Sequence, residues 1–366
     1  MIYIVILPFL SFLIFIFYDL LPKNLNLLIV CLLFAFFAAL RQIDVAADLG
    51  VYEDWYTFRD PENGFLERPG YFEALYFLLN DMFSALGIHF RIFIGLMAFL
   101  AVFIKMRVLV NFSKHGGAAA IGVLIYALTF FLLHDFTQIR AGLAVAFIFL
   151  ALMARVHEKR LLFVLCVLAA TGFHSSAVMA FMLLLPSHGT QTRWIDWGLC
   201  IMVSILYFLF SGGISPGAVL LDMLSTFDPR VALYISLADS GHSQTANPFS
   251  ASAMLLMALA LSLMRVDVDP ERVSVMGRHE LQALVLIRRS FLIGLIFLAS
   301  FASIPELALR LFEINIALLP VLAVIVFSHQ GWLLQKLLLL LWTVVVAAIY
   351  IGRDEGLVQP YVLFFS

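Results

Sequence analysis

Apolar runs of roughly 15 to 25 residues recur along this chain from Ile2 to Ile351, and they constrain its fold more than any other feature. A run of that length, wound as a helix, crosses the ~30 Å hydrocarbon core of a bilayer. Inside that core backbone polar groups are satisfied only in a helix or a closed barrel. The runs are blocks of Leu, Phe and Ala without the alternation of barrel strands, so helices are expected. Composition agrees: 63% of the 366 residues are hydrophobic and 13% are charged, with a mean hydropathy of +1.04, beyond soluble domains. The sequence predicts an all-α polytopic integral membrane protein, a single membrane domain over 1–366 with about 11–12 transmembrane helices in the lipid bilayer.

Candidate spans fall at about 2–18, 25–40, 90–111, 117–133, 138–154, 161–185, 194–211, 251–264, 290–304, 311–327 and 333–351. The first lacks a basic leader and a small-residue cleavage site, which predicts a retained span. Segment 161–185 carries Gly172 and His174 midway, which predicts a break between Thr171 and Ser176. A net charge of −2 argues against nucleic acid as a partner. Cys31, Cys166 and Cys200 lie inside apolar runs without zinc-type spacing, so buried thiols are expected; no cofactor is implied, and Asp44 with Asp48 is the pair that could still hold a cation.

Basic residues cluster at Lys105, Arg107 and Lys114, at Arg155, Lys159 and Arg160, and at Arg265, Arg272, Arg278, Arg288 and Arg289. By the positive-inside bias these segments face the cytoplasm. Counting spans outward from them puts 41–89, HDFTQIR, FHSSA, 212–250 and SIPELALR together on the opposite face. Within 41–89, an acidic and aromatic loop precedes an amphipathic helix over 71–86, suited to the interface. The 212–250 loop, rich in Gly and Pro, reads either as a lid or as a passive connector.

Four polar constellations stand out on that face. Arg41, Asp44, Asp48 and Tyr52 are spaced as one helical stripe, followed by Glu73 at the opening of the next helix. A carboxylate among hydroxyls can accept hydrogen bonds or act as a base, whereas the plain alternative is a solvated helix end. In HDFTQIR, Gln138 precedes Arg140, whose planar fork suits a diphosphate although terminal arginines commonly snorkel. His174, beside Ser175 and Ser176, interrupts a span one hairpin later, so Arg140 and His174 are expected to meet. Late in the chain, Ser303 is a candidate N-cap, followed by Glu306, Arg310 and Glu313 on one helix. Carboxylates, an imidazole and buried arginines fit group transfer from a lipid diphosphate. They also fit a transporter or flippase of lipid-linked sugars, with a His134/Asp135 relay.

These motifs resemble the EpsG-type branch of the bacterial Wzy polysaccharide polymerases. The likeness rests on Arg41, Asp48 and Tyr52, on Glu73, on Ile139, Arg140, Leu143 and Ala144, on His174, Ser176 and Ala177, and on Arg310 and Pro320. Ala46 and Ala141 depart from the family pattern, where glycine and glutamine are usual. The resemblance implies a fold similar to metal-independent, GT-C-like membrane glycosyltransferases. It implies transfer of a growing glycan from undecaprenyl diphosphate onto the non-reducing end of a lipid-linked repeat unit, in O-antigen, capsule or exopolysaccharide synthesis. The expected place is the outer face of the bacterial inner membrane, with a flippase and a chain-length regulator as pathway partners. An O-antigen ligase would share the donor chemistry and differ in acceptor. On this likeness Arg140 and Arg310, assisted by Arg41, are the expected diphosphate ligands. Asp48 or His174 would activate the acceptor hydroxyl, Glu73 would join them as a catalytic carboxylate lining the sugar site, and Tyr52, Asp44, Gln138 and Ser176 would bind the sugar.

Overall fold

The computed structural model describes residues 22–41, 48–57, 73–187, 191–217, 219, 246–266 and 276–352. Among the described residues the elements are helices, with no β-strand element. Seven helices are long and apolar enough to cross a membrane, and four shorter apolar helices accompany them. The protein is an all-α, multi-pass membrane protein. The candidate span at 2–18 lies outside the described residues.

The helices are α1 (Lys23–Ala39), α2 (Leu49–Thr57), α3 (Ala74–Ala85), α4 (Phe90–Phe112) and α5 (Gly116–Tyr126), which runs on as a π-helix (Ala127–Thr137). Then come α6 (Ile139–Val156), α7 (Arg160–Phe173), a 3-10 stretch (Ser175–Leu184), α8 (Gln191–Ser211) and α9 (Ala251–Met264). The last four are α10 (Arg278–Ser300), α11 (Pro305–Ile316), α12 (Leu319–Ser328) and α13 (Leu333–Gly352).

The chain groups into two compact units, one of residues 1–180, 318–336 and 343–366, the other of 181–317 and 337–342. In the first, α6 is the central helix, and its buried Ala141, Gly142, Ala144, Ala146, Ala151 and Ala154 let neighbours approach closely. Small residues take this role in membrane bundles because lipid offers no hydrophobic drive between helices. Gly122 of α5 shows how tight the packing is: a Cβ there would overlap Val324 Cγ2 of α12.

In the second unit α10 packs with α8, α9 and α11. Asp196 of α8 takes hydrogen bonds from both Arg288 and Arg289 of α10, the latter at 2.5 Å from Nε. Both arginines are buried within the helix, so they are not the loop charges expected from sequence. A shared carboxylate makes that burial tolerable. The span expected at 290–304 accordingly begins earlier, at Arg278, and ends at Ser300. Lys105 is a third correction: it lies inside α4, fully buried, rather than in a cytoplasmic loop.

Elsewhere the break expected within 161–185 is present. His174 has extended backbone (φ −152°, ψ 120°) and ends α7 before the 3-10 stretch. Ser303 is not the N-cap of α11. Ile304 holds that place ahead of Pro305, and Ser303 Oγ lies 3.0 Å from Ser215 Oγ. Cys31, Cys166 and Cys200 are buried free thiols.

Candidate active site

The site forms in the first unit, where α3, α6 and the end of α7 meet. Glu73 stands at the N-cap position of α3, its side chain making no capping hydrogen bond, and is buried. Its Oε2 accepts a hydrogen bond from the Arg140 guanidinium. Its Oε1 lies 2.9 Å from His174 Nδ1 and 3.4 Å from the backbone nitrogen of Ser175. One carboxylate thus gathers donors from the first turn of α6 and from the break after α7. Burial alone would raise the Glu73 carboxyl. The His174 hydrogen bond, the Arg140 charge and the Ser175 N–H outweigh it and hold the group below the usual carboxylate range.

The close approach of α7 to α3 makes this contact. A Cβ on Gly172 would lie 2.8 Å from Leu75 Cγ and 2.9 Å from its Cδ1, so glycine lets α7 come against the residue two places after Glu73. The break at His174 then turns the imidazole toward the carboxylate instead of continuing the helix. With Nδ1–H donated to Glu73, Nε2 is left as an acceptor, the arrangement that lets an imidazole take a proton from a hydroxyl.

Aromatic rings enclose Arg140. Its Cζ lies 4.9 Å from the Trp55 ring centre, 5.3 Å from that of Tyr52 and 5.8 Å from that of Tyr76. Its Nε lies 3.4 Å from Tyr52 Oη. Such cation–π contacts fix the plane of a guanidinium. Tyr52 is a poor base here, because burial pushes its phenol up, with Arg140 opposing and the Asp48 and Glu73 charges adding to the rise. Trp55 and Tyr76 were not singled out from sequence. Each lies three residues from a residue that was, Tyr52 and Glu73, so helical spacing carried the signal.

The other expected residues are distributed as follows. Asp48 is half-buried, directly ahead of α2, and its charge reaches Tyr52. Gln138 is the N-cap residue of α6 and is half-buried, as is Ser176 in the 3-10 stretch. Asp44 lies outside the described residues. Arg41 does not share a helix with Tyr52, since α1 ends at Ala39 and Leu40 closes it. Its buried guanidinium donates to the Ala38 carbonyl at 2.5 Å and lies 4.6 Å from the Phe136 ring centre. Arg310 is exposed on α11, in the second unit. Among the described residues no group of three or more His, Cys, Asp and Glu side chains could hold a metal ion.

Comparison with known families meets this geometry. A model of the EpsG family matches residues 24–363. The chain belongs to the EpsG family. Comparison with curated proteins and with solved structures gives no match. EpsG membership carries a polysaccharide-polymerase type of role in the membrane. In this EpsG protein four of the residues behind the sequence resemblance, Tyr52, Glu73, Arg140 and His174, meet in space.

Proposed function

We propose that this protein is a membrane glycosyltransferase that polymerises polysaccharide, moving a growing glycan from undecaprenyl diphosphate onto a lipid-linked repeat unit at the outer face of the inner membrane. The observation that carries the reading is the Glu73–His174 contact, which orients an imidazole with one nitrogen left to accept a proton. His174 Nε2 takes the proton of the acceptor hydroxyl as that oxygen bonds to the anomeric carbon. The bond from that carbon to the diphosphate breaks, and the diphosphate leaves with the electron pair. Arg140, with a fifth of its side chain exposed, offers its outward N–H edge to the departing charge. Trp55, half-buried beside Arg140, presents a ring on which a sugar can stack, with Tyr52 buried behind the guanidinium. Arg41, whose guanidinium lies over the Phe136 ring, assists as a further arginine toward the diphosphate.

The lipid half of the donor has a groove of about 860 Å³ between α1 and α4, lined by Leu32, Phe36, Ala39, Ile92, Leu96 and Phe99, with His89 and Arg91 at one end. From Leu40 to Ile29 it follows α1 for roughly 16 Å at 1.5 Å per residue. Its charged end adjoins α2, because Tyr56 donates to the Ile88 carbonyl at 2.5 Å. A polyprenyl chain lying there has its head group on the side of the aromatic rings.

The test is reconstitution with a lipid-diphosphate repeat unit and a gel that resolves product length. Wild type should give a ladder, and Glu73→Gln and His174→Ala should give only a small fraction of that product. A full ladder from both variants would overturn the assignment.

A further inference from the structure

A second buried polar cluster, which the mechanism above does not use, lies behind Arg140. Asp135 is fully buried, with Oδ1 at 2.7 Å and Oδ2 at 2.5 Å from Lys105 Nζ. Oδ2 also accepts from the Tyr126 hydroxyl at 2.7 Å. Three segments are tied at this carboxylate: α4 through Lys105, α5 through Tyr126 and the π-helix through Asp135 itself. A buried ion pair is weak as a stabiliser, because apolar side chains of similar shape commonly do as well. What it supplies is a defined geometry.

That geometry bears on Arg140 through the backbone. The π-helix winds i to i−5, and Gln138 N still bonds the Leu133 carbonyl at 3.3 Å. Gln138 (φ −104°, ψ 69°) then reverses the chain, and Ile139 opens α6. The first turn of α6 comes back against Asp135. A Cβ on Gly142 would stand 2.7 Å from Asp135 Oδ1 and 3.1 Å from its Cα. Arg140 and Gly142 are two residues apart, so on a helix of 3.6 residues per turn they point to nearly opposite sides. Gly142 rests on Asp135, while Arg140 faces Glu73 and the rings of Tyr52, Trp55 and Tyr76. The first turn of α6 is wedged between the two.

We infer that Lys105, Asp135 and Tyr126 form a positioning device for Arg140, holding the π-turn and the first turn of α6 at the depth where the guanidinium meets Glu73 and Trp55. This rests on the functional reading of Arg140 given above. None of the three residues needs to touch substrate. Glycine at 142 is part of the device, since any side chain there would drive α6 away from Asp135 and toward α3.

The test reads Arg140 independently of catalysis. Incorporation of 5-fluorotryptophan in the full-length protein gives one fluorine resonance for each of the five tryptophans, and loss in Trp55→Phe assigns that of Trp55. Arg140→Ala defines how far the Trp55 resonance moves when the guanidinium leaves. Lys105→Met/Asp135→Asn removes both charges with little change of shape. It should move the Trp55 resonance by at least half that amount, leave the other four in place, and lower turnover tenfold or more. An unmoved Trp55 resonance in the folded variant would overturn the inference. If that variant does not fold, Gly142→Ala, which keeps the ion pair, is read the same way: an unmoved resonance with wild-type turnover overturns it. Should wild type make no polymer from any lipid diphosphate, the functional reading fails on its own, and the Trp55 signal still decides the positioning.

Discussion

His174 Nδ1 and Glu73 Oε1 lie 2.9 Å apart although 101 residues separate them in the chain. The contact exists because α7 stops one residue before the imidazole and because Gly172 lets α7 lie against Leu75. If the pair works as base and orienting acid, the two substitutions should differ in kind. His174→Gln removes the proton acceptor and should lower kcat about 10²-fold or more, the usual contribution of a positioned general base. Glu73→Gln should also lower kcat and raise the KM for donor, since Arg140 loses its ionic partner. Steady-state kinetics on reconstituted protein separates these outcomes.

The depressed Glu73 carboxyl predicts a pH dependence of stability. Its folded pKa lies below the unfolded value of about 4.3, so the stabilisation it contributes is fully present above that value. It is lost as pH falls through the folded pKa. Thermal melting in detergent should therefore show a constant gap between wild type and Glu73→Gln from about pH 8 to 5, narrowing only below about pH 4. A gap that closes near neutrality would contradict the ionised Glu73.

Gly172→Val should push α7 off Leu75 and separate His174 from Glu73. Overpacking of this kind costs about 1–3 kcal/mol, and here activity should fall further than stability does. Leu75→Ala in the same chain makes room for the new side chain and should restore part of the activity, measured as product length and initial rate.

Removing Asp196 should be costly, because Arg288 and Arg289 both rely on it. Asp196→Ala is expected to destabilise by about 3–5 kcal/mol, the range for breaking a buried ion pair. Replacing all three with apolar residues should recover most of it. Chemical denaturation of the purified protein checks both.

The groove between α1 and α4 predicts a dependence on chain length. Leu96→Trp, placed midway along it, should raise the KM for a full-length polyprenyl donor several-fold and leave that for a short-chain analogue near wild type. Equal effects on both donors would remove the groove from the donor path.

Much of the fold was legible because bilayer thickness fixes run length, and the break at His174 was legible because a histidine among hydroxyls interrupts an apolar span. Lys105, Arg288 and Arg289 read from sequence as loop charges, yet they are buried within helices. Near a span end a cation reads as solvated unless its partner is visible, and the partners Asp135 and Asp196 lie 30 and 92–93 residues away. The helical stripe from Arg41 to Tyr52 failed because spacing alone does not reveal that α1 closes at Leu40. The meeting of Glu73 with Arg140 and His174 was only half foreseen. The hairpin pairing of Arg140 with His174 followed from span order, whereas the carboxylate between them depends on the packing of α3 against α7.

The nine residues of α2 have a consequence for how the protein assembles. A helix that short does not persist alone in water. Near its C-terminal end the Trp55 carbonyl accepts from Asn80 at 3.0 Å and that of Tyr56 from Ser84 at 3.1 Å, side chains that emerge 25 and 28 residues later in synthesis. Tyr52 and Trp55 therefore take up their places only after α3 has formed beside them. A nascent chain has no half-built ring wall to expose, and the rings and Glu73 arrive together.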